Sequence, residues 1–162
     1  MSIAQGLLPE FDHEMTNTRA ILARVPEARA DWQPHAKSMT LGKLAIHVAT
    51  LPGWVPVTMH AGELDFANHK QAQFENAAQM LQAFDESVKA ARAALEQASD
   101  ADFGAPWTLR NGGHVIFTMP RIAVYRSFTM NHIIHHRGQL SVYLRLLDVP
   151  IPGMYGPSAD DR

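Results

Sequence analysis

Apolar residues recur along this chain at helical spacing. Leu41, Leu44, Val48, Leu51 and Val55 stand at i, i+3, i+7, i+10 and i+14 and line one face of a helix whose cap is Ser38 or Thr40. Pro52 and Pro56 fall within that stripe, and each removes a backbone donor, so the helix is expected to kink or end there. Ala77, Leu81, Phe84, Val88, Ala91 and Leu95 alternate in steps of four and three, the seam of a bundle helix over 75–98. A looser stripe (Leu7, Leu8, Phe11, Met15, Ile21, Leu22, Val25) predicts a first helix over 3–25, with Ser2 as cap and Pro26 as stop. A fourth helix is expected over 120–148, since Pro120 suits a first turn and Pro150 and Pro152 lie just beyond the end.

The connections complete the picture. Residues 61–74 are polar and read as one long linker, which extended reaches ~46 Å, more than the ~30 Å of a 20-residue helix. Helices two and three can therefore run parallel. WTLRNGGHVIFTM sets Asn111-Gly112-Gly113 between two β-favouring runs, a hairpin signal. The expected fold is all-α: a four-helix bundle with a crossover between helices two and three and a small β-hairpin before helix four. With 162 residues the chain suits one domain over 1–162.

Charge and composition then exclude several functions. Lys+Arg is 14 against 16 for Asp+Glu, a formal charge of −2, so no basic footprint for nucleic acid exists. No run of 18 apolar residues suggests a membrane span. The opening MSIAQGLLPEFDHEM lacks the basic start of a signal peptide, and a cytoplasmic location is expected. Cysteine is absent, which removes disulfides, thiolate metal sites and a cysteine nucleophile. Phosphate-binding loops, G-x-S-x-G and H-E-x-x-H are absent too. Histidine, by contrast, occurs nine times.

Two of the nine carry chemistry by their spacing. In NHIIHHRGQL, His132 and His136 are four apart and project from one helical face. His135 is rotated by about 100° from His136 and cannot share an ion with that pair. Tyr125, Phe128, Gln139 and Tyr143 fall on the same face as the pair. His47 lies three residues after Leu44 and four before Leu51, in the apolar stripe of helix two, so it points inward. Three imidazoles meeting inside a bundle need several separate hydrogen-bond partners, or one divalent ion that takes all three lone pairs. Without thiolates, zinc, nickel, iron and manganese all suit such a site. The structural alternative is three hydrogen-bonded core histidines. His13 is expected on the surface, and His35, His60, His69 and His114 in or beside loops and the hairpin. Arg126 and Arg137 read as surface groups on nearly one side of helix four, and Gly138 as a point of close helix approach. No carboxylate is well placed as a general base, Glu14 being a guess, and nothing in the spacing brings Tyr155 or Asp160 over the pocket.

PHAKSMTLGKLAIHVATLPGW (34–54) and MNHIIHHRGQLSVYLRLLDVPIPGMYGPSADD (130–161) together resemble the DinB/YfiT-like superfamily of metal-binding four-helix proteins. The resemblance extends over most of the chain. It implies a bundle with the crossover already described, a divalent metal held by His47, His132 and His136, and a homodimer. Some relatives use low-molecular-weight thiols, which implies a metal-dependent transferase or isomerase acting on a small-molecule substrate with such a thiol as co-substrate. A metal-dependent hydrolase and a non-catalytic, metal-stabilised or dimeric interaction protein are the alternatives. No nucleic-acid or membrane partner is expected, and the metal expected first is zinc or nickel. Metal affinity is expected to weaken as pH falls towards ~6.5, where imidazoles protonate.

Overall fold

The computed structural model of the protein describes residues 1–70 and 72–161. Helix α1 (Ile3–Leu22) opens with a capping box. Ser2 Oγ accepts from the Gln5 N–H at 3.3 Å, and Gln5 Oε1 accepts from the Ser2 N–H at 2.9 Å. Helix α2 (Leu41–Thr50) is capped by Thr40, whose Oγ1 accepts from the Lys43 N–H at 3.3 Å. The helix then breaks at the first proline of its stripe, as expected. Pro52 sits in a 3₁₀ turn over Leu51–Gly53, and the chain resumes as α3 (Trp54–His60). Pro56 is harmless there, because it lies in the first turn of α3, where backbone donors have no intrahelical acceptor.

Residues 61–74 are not all linker, as the polarity suggested. Glu63–Asp65 forms strand β1, followed by a 3₁₀ turn over Phe66–Asn68. Helix α4 (Ala77–Gln97) starts at Asn76, whose side chain accepts from the Gln79 N–H at 2.9 Å. A short helix α5 (Asp100–Gly104) leads into β2 (Pro106–Asn111) and β3 (His114–Pro120). The hairpin is present, with Gly112 in the turn at φ +57°, a conformation that favours glycine. Strand β1 adds to it in parallel, Glu63 opposite Thr108, giving the order β1-β2-β3. Asp65 pins this edge to the hairpin turn by accepting from the Gly112 N–H at 2.8 Å. The fold is therefore mostly helical with a three-stranded sheet, and not all-α.

The last helical segment has three parts: α6 (Arg121–Ala123), a π-helical stretch over Val124–Met130, and α7 (Asn131–Leu146). Its end is a Schellman motif. The Asp148 N–H donates to the Arg145 carbonyl and the Val149 N–H to the Leu144 carbonyl, with Asp148 at φ 56°.

Helix α1 packs on α4 and α7, and α2 also packs on α4 and α7. Their apolar faces merge in a core that includes Phe11, Leu44, Val48, Phe84, Leu95 and Leu140. A second cluster, Trp107, Leu109 and Val124, lies between the sheet and the helices and reaches Trp54 and Phe128. Packing of α2 against α7 positions the site, because these two helices carry the three histidines.

Candidate metal centre

His47 lies in the last turn of α2, while His132 and His136 stand one turn apart at the start of α7. The π-helical stretch ends at Met130, so the histidine pair sits on regular α-helix and keeps its four-residue spacing. The three rings form a nearly equilateral triangle, with centroids 4.9, 4.6 and 4.7 Å apart for His47–His132, His47–His136 and His132–His136. His47 Nε2 lies 3.1 Å from His132 Nε2. One ligand nitrogen from each of the three lies within 4.8 Å of the others. Two nitrogens at ~2.05 Å from one ion and 3.1 Å apart subtend about 100°, between octahedral and tetrahedral values.

The other ring nitrogens orient these lone pairs. His132 Nδ1 donates to the Phe128 carbonyl at 3.3 Å, and His136 Nδ1 donates to Gln139 Oε1 at 2.7 Å. Both protons on Nδ1 leave Nε2 as the free donor atom, the arrangement that metal-ligating imidazoles adopt. Gln139 is fixed in turn, as its Nε2 donates to His135 Nε2 at 3.1 Å. His135, exposed and outside the triangle as its rotation on the helix implied, touches the site from behind, through Gln139 and through an edge contact with the His136 ring at 4.9 Å between centroids.

All three rings are half-buried and their basicity is reduced. The His47 pKa falls to about 4, chiefly through burial and further through its neighbours His136 and His132. Burial also lowers His132 and His136, with the Phe128 carbonyl and Gln139 opposing the shift. The imidazoles are thus neutral at pH 7, with lone pairs available. The donor set fits a divalent ion, and the cluster is able to hold one.

Beside the triangle opens a cleft of about 430 Å³ lined by His47, His132, Trp54, Leu64, Phe66 and Phe128, among others. Strand β1 supplies Leu64, so the unexpected strand builds one wall of the site. His69 also lines this cleft, a place that its loop position gave no means to foresee.

Other expectations are corrected. Arg137 is not a surface group: it is 3% exposed and forms an ion pair with Glu14, itself 5% exposed. Arg137 also donates to the Glu14 carbonyl at 2.9 Å and to Thr18 Oγ1 at 3.1 Å. Tyr155 folds back onto this pair and donates to Glu14 from 2.9 Å, while Asp160 pairs with Arg145. Glu14 and Tyr155 thus belong to a clamp that holds the C-terminal segment. Arg126 is exposed and pairs with Glu10. The π-helical stretch breaks the α-helical phase between Arg126 and Arg137, so their sides differ. Gly138 has no heavy atom within 4 Å of where a Cβ would sit, which rules out close helix approach as its reason. His13 is exposed as expected and contacts Asn17.

Comparison with known proteins bears on the fold and the family. YrdA of Bacillus subtilis, itself described as uncharacterized, is 24% identical over 158 residues, covering 95% of this chain and 89% of the relative. A crystal structure of a DinB-like protein from Bacillus subtilis, YjoA, superposes with a TM-score of 0.73 at 19% identity, over 94% of this chain and 99% of that one. A DinB-like protein from Bacillus cereus gives 0.70 at 22% identity, over 95% and 98%. These likenesses establish a shared fold. The sequence model of the DinB family matches residues 1–162, and the chain belongs to that family.

Proposed function

We propose that this protein is a metal-dependent enzyme in which His47, His132 and His136 hold a divalent ion, zinc or nickel first, for the transfer or isomerisation chemistry of a low-molecular-weight thiol. The observation that carries this reading is the triangle of neutral imidazoles opening onto a cleft. A bound divalent ion would supply Lewis acidity, lowering the pKa of a coordinated thiol and favouring its thiolate. The chain's own residues do the rest. Phe128 and Gln139 fix the tautomers of His132 and His136, and aromatic side chains wall the cleft beside them.

Two features favour a thiol over hydrolysis. No Asp or Glu lines the cleft among the described residues, so a carboxylate general base for a metal-bound water is missing there. Glu14 is engaged by Arg137 and Tyr155. The chain also has no cysteine, so the thiol comes from outside. We further read the helical arrangement as the four-helix bundle with a crossover between its second and third members, acting as a homodimer in the cytoplasm. No helix among the described residues is long and apolar enough to cross a membrane.

The test is the visible spectrum of the cobalt-substituted protein titrated with 2-mercaptoethanol. A new sulfur-to-cobalt charge-transfer band supports the reading. An unchanged spectrum at saturating thiol overturns it in favour of a structural ion.

A further inference from the structure

The cleft beside the histidines has a composition of its own. Trp54 lines it, with ring centroids 5.1 Å from Phe128 and 5.3 Å from Phe66. Phe128 in turn lies 5.8 Å from His132, so an aromatic surface runs without a break up to the donor nitrogens. These rings are only half-buried and line the cleft. Lys70, exposed, also lines the cleft. Among the described lining residues no carboxylate offsets it, although the chain carries a formal charge of −2. The volume of about 430 Å³ falls within the range of small-molecule sites.

We infer that this cleft receives a small organic anion, with a planar apolar body stacked among Trp54, Phe66 and Phe128 and a carboxylate-like group paired with Lys70. Aromatic faces gain most from a planar partner, while a carboxylate-free wall bearing an ammonium group favours negative charge. The inference deepens the proposed function by naming its substrate class. It rests on that reading only in placing the reacting sulfur at the histidines.

The experiment compares three thiols on the cobalt-loaded protein, with tryptophan fluorescence quenching as readout. 4-Mercaptobenzoate has ring and charge, 4-methylbenzenethiol the ring alone, and 3-mercaptopropionate the charge alone. 4-Mercaptobenzoate should bind about threefold to fivefold tighter than its neutral ring analogue, the range expected of one exposed ion pair. Lys70→Gln or 0.5 M salt should erase that advantage. Phe66→Ala should weaken both aromatic thiols by about threefold to tenfold and leave 3-mercaptopropionate unchanged. Equal binding of the charged and neutral ring thiols, or a preference that survives in Lys70→Gln, overturns the inference. Failure of the proposed function shows separately, as a native protein that takes up no cobalt or whose cobalt spectrum does not respond to thiol. The comparison then uses 2-naphthoate and 2-naphthylmethanol on the metal-free protein. A preference for naphthoate that depends on Lys70 upholds the cleft assignment, and equal binding overturns it.

Discussion

Removing the Gln139 side chain tests whether the site is built to bind an ion or merely contains histidines. Its Oε1 accepts the His136 Nδ1 proton at 2.7 Å, which fixes the tautomer and leaves the Nε2 lone pair free. Partners of this kind contribute about 10- to 100-fold to metal affinity, or ~1.4–2.7 kcal/mol. Gln139 is exposed, so water replaces part of what is lost, and Gln139→Ala should sit near the lower end, about tenfold weaker. Gln139→Glu keeps the acceptor and adds negative charge, so its affinity should equal or exceed that of the native protein. His135→Ala removes the far partner of the Gln139 amide and an edge contact with the His136 ring, but no hydrogen bond to a ligand imidazole, and should change affinity by less than about threefold. Competition with a chromophoric zinc chelator at pH 7.5 measures all three. Native affinity in Gln139→Ala, or an equal loss in His135→Ala, refutes the argument.

Three further outcomes follow from the packing and the titrations. Arg137→Met leaves the Glu14 carboxylate, 5% exposed, with Tyr155 as its remaining partner, and should cost about 3–5 kcal/mol in urea unfolding; a loss below about 1 kcal/mol contradicts the clamp. Asp148→Gly relieves the left-handed residue that ends α7 and should stabilise by about 0.5–1 kcal/mol, a melting temperature higher by roughly 2 °C. His47, at about 4 in the folded chain and 6.5 unfolded, contributes stability that is complete above pH ~6.5 and is lost as pH falls through about 4. For a half-buried ring this amounts to about 1–2 kcal/mol after solvent screening, measured as the fall in urea midpoint of the metal-free protein that His47→Ala lacks. The same shift means protons compete for the lone pairs at lower pH than for free imidazole.

The histidine triangle was legible because all three rings follow helical periodicity. His47 sits in the same stripe as Leu44 and Leu51, and His132 and His136 share a face by spacing alone. The caps at Ser2 and Thr40 and the glycine turn at Gly112 were legible for the same reason, since each is decided within a few residues. Features decided across the chain were not. Strand β1 is three residues long, and its partner on β2 lies in a distant part of the sequence, so Glu63-Leu64-Asp65 carries no signal of its own. Nothing around Arg137 shows that Glu14 on another helix will bury it. The π-helical stretch spoils periodicity upstream of His132, and the aromatic cleft is assembled from α3, the 3₁₀ turn at Phe66 and that same stretch.

The most direct measurement is the metal content of untagged protein after incubation with zinc and desalting, for the native chain and for His47→Ala, His132→Ala and His136→Ala. A shared three-histidine site predicts about one ion per native chain and a large loss in each variant, since such sites retain their ion through desalting. Fewer than about 0.1 ion per native chain would contradict it, as would variants that stay fully loaded.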